Sequence, residues 1–199
     1  MIIQREIRRK AFHILAGLAL PALYYVFMLL HQTTLAKWII AAVAVAILVV
    51  DIIRLKHLFI KIIFLDIFGP LLRKHEISAL TGATYLMLSS LACFTLFRDS
   101  IAILAISYLI VGDSLAALVG RSVGRTKFFE KSFEGAGAGL AGCLIIGLII
   151  MHLPGTDLTF WEMAVGAVAA VVVEILPIPL DDNIRIPLAS GAVMHLFCQ

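Results

Sequence analysis

Long apolar runs separated by short polar stretches organise this chain. The apolar windows fall at about residues 11 to 30, 35 to 53, 79 to 97, 100 to 120, 136 to 153, 160 to 177 and 184 to 198. Most approach the roughly 20 residues that cross a bilayer as a helix. In hydrocarbon the backbone has no water to bond, so each run predicts a helix that pairs its N–H and C=O groups internally. Seven spans follow, the last one short. Between the second and third, Phe59 to Leu72 interleaves Ile, Phe and Leu with Lys61 and Asp66, and Arg73 follows, all at roughly helical spacing. That pattern predicts an amphipathic helix lying in the interface. No repeat or low-complexity linker interrupts the chain. The expected architecture is all-α: one integral membrane domain over residues 1–199, a polytopic bundle of seven transmembrane helices and one interfacial helix.

Composition supports a membrane as the solvent. Hydrophobic residues make up 62% of the 199 and charged residues only 15%, with mean hydropathy +1.05. That leaves too little polar surface to cover a soluble globule. The net charge of +3 does not imply nucleic acid, because the basic residues sit in short loops and form no single patch. Cys93, Cys143 and Cys198 lie in apolar surroundings without a CxxC pair, so neither a disulfide framework nor a zinc site is expected. The basic start, Met1 to Lys10, precedes an apolar run too long for a signal peptide's core, which predicts a retained first helix. With the N-terminus inside, 14 of the 16 Lys and Arg residues face the cytoplasm, leaving Lys37 and Arg98 outside. The positive-inside rule therefore predicts a cytoplasmic site.

Three groups of residues could carry chemistry. Asp113 lies within an apolar helix, where an unpaired charge costs roughly 2.5 to 3.5 kcal/mol on insertion scales. Either a partner helix or a functional role must offset that cost, and Glu174 poses the same question near the inner end of the sixth helix. Second, Gly120, Arg121, Gly124, Arg125, Lys131, Ser132 and Gly135 form a glycine-rich basic loop leading into the fifth helix. Backbone N–H groups, cations and a helix N-terminus together suit phosphates. No Walker A pattern precedes Ser132. The plainer reading is inside-rule cations, with Gly120, Gly135 and Gly139 allowing close helix packing. Third, Asp181, Asp182 and Asn183 follow Glu174-Ile175-Leu176-Pro177 and offer hard oxygen ligands for Mg²⁺. Asp182 or Asn183 could equally cap a helix starting at Ile184. Two smaller clusters share the inner side: Arg9-Lys10 with His13, and Arg73-Lys74-His75-Glu76 followed by Thr81-Gly82-Ala83-Thr84-Tyr85. Each can serve simply as an interfacial anchor.

At these residues the chain resembles the polyprenol kinase family, which includes dolichol kinase, phytol kinase and the yeast-type CTP-dependent diacylglycerol kinase. The resemblance rests on Arg9-Lys10 with His13, on Thr81 to Tyr85, and on D-x-x-A-x-x-x-G-x-x-x-G at Asp113, Ala116, Gly120 and Gly124. K-S-x-E-G at Lys131 to Gly135, including Ser132 and Glu134, and the late E-x-L-P with Asp181-Asp182-Asn183 complete it. CDP-diacylglycerol synthases share the central stretch but continue differently at the C-terminus, where Asp181-Asp182-Asn183 favours kinase.

The resemblance implies transfer of the terminal phosphate of CTP, with Mg²⁺, to the hydroxyl of a long-chain isoprenoid alcohol in the bilayer. Asp113, Glu174 and Asp182 would be catalytic, with Asp113, Asp181, Asp182 and Asn183 around the metal. Gly120, Arg121, Gly124, Arg125, Lys131, Ser132, Glu134 and Gly135 would hold the nucleotide, assisted by Arg73 and Lys74. His13 and Thr81 would support the site. The alternatives are cytidylyl transfer to phosphatidate and a small transporter relaying ions through Asp113 and Glu174.

Overall fold

A computed structural model describes residues 2–129 and 131–197, with side chains from residue 13 onward except that of Phe128. The side chains of Arg9 and Lys10, and all of Cys198, lie outside the described residues. The chain forms α1 (Ile2–Leu29), α2 (Thr33–Lys56), α3 (Leu58–Phe68), α4 (Gly82–Leu96), α5 (Asp99–Ser122), α6 (Phe133–Met151), α7 (Phe160–Ile175) and α8 (Asp182–Leu196). The all-α expectation holds but for a two-stranded antiparallel ribbon, β1 (Lys127–Phe128) paired with β2 (Lys131–Ser132), just before α6. Three of these helices, α2, α5 and α6, are long and apolar enough to cross a membrane. The others include helices of 15 or 16 residues, α4, α7 and α8, below the usual spanning length.

Local chemistry sets the helix ends. Thr81 caps α4 by accepting from the Thr84 N–H, and Ser132 caps α6 by accepting from the Gly135 N–H at 3.1 Å. Thr159 and Glu162 form a capping box at the start of α7. Leu176 turns extended before Pro177, as a residue ahead of proline must, and α7 ends there. Asp181, not Asp182 or Asn183, caps α8, which begins two residues earlier than expected.

The core is built around α5. Ile101 to Ile110 are all buried, because this stretch is apolar on every face and other helices surround it. It packs against α1, α4, α6, α7 and α8. By contrast α2 leaves Val43, Val45, Val49 and Val50 exposed, and such apolar surface belongs against lipid. The helix α3 differs from its expected amphipathic pattern. Leu58, Phe59, Ile62 and Ile67 are all exposed, and it has no buried residue, so it presents apolar side chains in several directions.

Close α5–α6 packing depends on glycine. A Cβ on Gly135 would lie 2.7 Å from the Ala116 carbonyl oxygen and 3.1 Å from the Gly120 Cα. Neither backbone atom can yield without moving its helix. Gly135→Val is therefore expected to destabilise the protein by about 1–3 kcal/mol, read as a lower unfolding midpoint in detergent. An unchanged midpoint would mean that the two helices tolerate separation.

Candidate active site

Alternating helix directions bring the ends of α2, α5 and α7 beside the beginnings of α4, α6 and α8, and most of the sequence-selected residues meet there. At the opposite end, Arg98 pairs with Asp157 at 2.8 Å and Glu162 at 2.5 Å, while Tyr24 donates to Asp99 at 2.6 Å. The Arg98 contacts tie the α4–α5 connection to the α6–α7 connection and the start of α7, and the Tyr24 contact holds α1 to the start of α5.

Asp113 and Glu174 are both buried, 5% and 4% exposed. Lys131, on the ribbon, donates to Glu174 Oε1 at 3.0 Å and to Asp182 Oδ2 at 3.4 Å. The two carboxylates thus face one another across a single ammonium. Burial pulls the Lys131 pKa down, but the charges of Glu174, Asp182 and Asp113 outweigh it and leave the pKa raised. Arg73 sits in the same field from the other side. Burial lowers its pKa, yet Asp113, Asp181, Glu76 and Asp182 raise it on balance. Both cations remain charged because acids from four chain segments converge on them.

The start of α8 is fixed in detail. Asp181 accepts from the Asn183 backbone N–H at 2.9 Å and its side-chain amide at 2.7 Å, and pairs with Arg73 at 3.4 Å. Arg185 donates to Asp182 and to the Leu176 and Glu174 carbonyls, satisfying the end of α7. Asp181 and Asn183 therefore hold each other and the helix end, and Asp182 is the member of the trio that meets Lys131.

A network that sequence reading missed supports this arrangement. Asp51 in α2 accepts from the Thr81 N–H and hydroxyl, each at 2.8 Å, from the Thr84 hydroxyl, and from Arg54 Nε at 2.5 Å. Arg54 is fully buried, donates to the Glu76 and Ala79 carbonyls, and lies over the Phe64 ring with its guanidinium carbon 4.7 Å from the centroid. Glu76 in turn accepts from the Arg73 N–H at 2.7 Å and the Gly82 N–H at 3.0 Å. The loop carrying Arg73 is thereby clamped. A signal existed in the sequence: an Asp and an Arg three residues apart at the end of an apolar helix, a spacing that puts them on one face.

Two cavities flank α5. The larger, about 530 Å³, has apolar walls from α1, α2, α3 and α4 and a polar end at Arg73, Glu76, Asp113 and Asn183. Thr81 and His13 also reach it. The smaller, about 250 Å³, is lined by Gly120, Arg121, Gly124, Lys131, Gly135 and Glu174, and by Lys127, which sequence reading did not select. At Gly124 the approach is closest: a Cβ there would lie 2.2 Å from the Gly120 carbonyl oxygen and 2.6 Å from the Ser132 hydroxyl. Arg125 and Lys74 are exposed and line neither cavity. Glu134 accepts from the Thr126 N–H at 3.1 Å, so it braces the loop.

Among the described residues no group of three or more His, Cys, Asp or Glu side chains could hold a metal ion unaided. Magnesium needs less: one or two carboxylates, with substrate phosphates and water completing its shell. Asp113 and Asp182 have the hard oxygen chemistry for that, in a place where acids already offset Lys131 and Arg73.

No protein-family profile and no solved structure matches the chain. Curated proteins do. A probable phytol kinase 2 of Glycine max is 29% identical over 98% of this chain and 66% of its own length. The CTP-dependent diacylglycerol kinase 1 of Saccharomyces cerevisiae is 25% identical over 98% of this chain and 74% of its own. A probable phytol kinase of Triticum aestivum is 35% identical over 59% and 44% respectively. The chain thus spans less than two thirds of the length of these two plant relatives. Over nearly its whole length the chain is similar to phytol kinases and to CTP-dependent diacylglycerol kinases.

Proposed function

We propose that this protein is a CTP-dependent lipid kinase that moves the γ-phosphate of CTP to the hydroxyl of a long-chain isoprenoid alcohol at the cytoplasmic face of the membrane. The observation that carries the reading is the pair of cavities on either side of α5, one basic and glycine-lined, the other apolar with an acidic end. A nucleotide triphosphate suits the first. Arg121, Lys127 and Lys131 neutralise its phosphates, and Gly120, Gly124 and Gly135 let the backbone approach. A lipid alcohol suits the second. The 14 cationic residues assigned to the inner side argue that this end faces the cytoplasm.

Phosphoryl transfer requires mainly alignment and charge neutralisation. The acceptor oxygen forms a bond to the γ-phosphorus, the bond from that phosphorus to the β–γ bridging oxygen breaks, and CDP leaves. Asp113 orients the hydroxyl and takes up its proton as the new bond forms. Glu174 and Asp182 hold Lys131 where the γ-phosphate arrives. Mg²⁺ carried with the triphosphate would be held by Asp113 and Asp182 and would offset phosphate charge.

Labelled CTP tests this. Transfer from the γ position to lipid is expected. Transfer from the α position would instead mean cytidylyl transfer, and no transfer from either would turn attention to ion relay through Asp113 and Glu174.

A further inference from the structure

We infer that Lys131 stands in for the divalent cation in the empty site, closing Asp182 to metal until a triphosphate draws its ammonium away; this rests on the kinase reading above. Asp182 has two roles in that reading which cannot coincide: partner to Lys131 and metal ligand. Its Oδ1 accepts from Arg185 Nε at 2.8 Å, and its Oδ2 accepts from Lys131 at 3.4 Å, so both oxygens already face a cation. A divalent ion at Oδ2 and the Lys131 ammonium would repel each other in surroundings that screen charge poorly. Metal binding by Asp182 therefore requires Lys131 to leave it.

The side chain is built to leave. The side chains of Glu174 and Asp182 are only 4% and 16% exposed, while that of Lys131 is 33% exposed and lines the smaller cavity beside Arg121 and Lys127. Its backbone is fixed from both directions: Lys131 pairs with Phe128 across the ribbon, and Ser132 caps α6. Only the four-carbon stem has to turn. Lysine suits this better than arginine, because its ammonium is a point charge on a flexible stem, with no planar fork to realign. The contact to Asp182 is the longer of its two, 3.4 Å against 3.0 Å to Glu174. The ammonium can exchange Asp182 for a phosphate oxygen while keeping Glu174 as its pivot. Phosphate charge then compensates Lys131 as Asp182 is uncovered, so metal is admitted with the nucleotide and not before it.

The test uses the full-length protein in detergent, with Mn²⁺ as the probe and the EPR signal of free Mn²⁺ as the readout; no turnover is needed. Lys131→Met removes the ammonium and is expected to bind Mn²⁺ without nucleotide about tenfold or more tighter than the parent does. Lys131→Arg keeps the charge and should bind as weakly as the parent. Adding Asp182→Asn to Lys131→Met should abolish the gain, a result that general loosening of the fold would not give. The parent supplies a second reading that holds even if Lys131→Met does not fold. Mn²⁺ alone should leave its unfolding midpoint unchanged, whereas Mn²⁺ with β,γ-imido-CTP should raise it. Equal Mn²⁺ affinity in the parent and Lys131→Met, a gain that survives Asp182→Asn, or no difference in the parent between Mn²⁺ alone and Mn²⁺ with the analogue would overturn the inference. An Asp182-dependent gain in Lys131→Met, in a protein whose parent moves no γ-label from CTP to lipid, would reject the kinase reading and leave Lys131 as the resident cation of a metal site.

Discussion

Asp113→Asn is expected to lower phosphate transfer by roughly 10²- to 10³-fold, the range found when one group that stabilises developing charge is removed, with the folded protein retained. Asparagine nearly preserves the shape of aspartate, and at 5% exposure the site has little room for rearrangement. Only the charge changes. Asp113 lines the larger cavity, while Ala116, Ala117 and Gly120 on the following turns of α5 line the smaller one. In the proposed mechanism it is the acid that acts on the acceptor, and its charge acts on both Lys131 and Arg73. Steady-state rates with γ-labelled CTP, alongside an unfolding midpoint, would check this. Full activity in the variant would remove Asp113 from the mechanism.

The second large effect falls on stability. Arg54→Met is expected to cost about 3 kcal/mol, typical of breaking a buried ion pair by removing one partner. Arg54 has no exposed surface, and its loss strands the Asp51 carboxylate as well as the Glu76 and Ala79 carbonyls. Thr81 and Thr84 still donate to Asp51, which softens the loss without abolishing it. Since Glu76 orders the Arg73 backbone, activity should fall too. A denaturation midpoint within about 0.5 kcal/mol of the parent, as for an ordinary surface substitution, would contradict this role for the pair.

The helices were legible because hydrocarbon leaves no other use for long apolar runs, and the windows around α2, α5 and α6 match the structure closely. Helix number was legible and the number of spans was not. Thr81 starts α4 three residues inside its apolar window and the turn before Pro177 stops α7 two residues short of its own, while Asp181 starts α8 two residues ahead of its window, so an apolar window and the helix within it need not share their bounds. The concentration of acids was visible from Asp113, Glu174 and Asp182. Which cation each would face was not, because Lys131 and Arg73 stand 58 residues apart in the chain and only folding places both beside Asp113. The Asp51–Arg54 pair is masked in the sequence because Arg54 reads simply as one more of the inner-side charges. The ribbon at Lys127 to Ser132 carries too few residues to show a strand pattern.

Cysteine protection would test most directly the claim that α5 stands between two substrate cavities. In a background with Cys198 replaced, Ala117→Cys on the phosphate side and Ala83→Cys on the lipid side would be labelled with a maleimide; the native Cys93 and Cys143 are buried. CTP should protect position 117 and leave 83 reactive, and hexadecanol should do the reverse. Protection of both positions by CTP alone, or of neither by its own ligand, would contradict the two-cavity account.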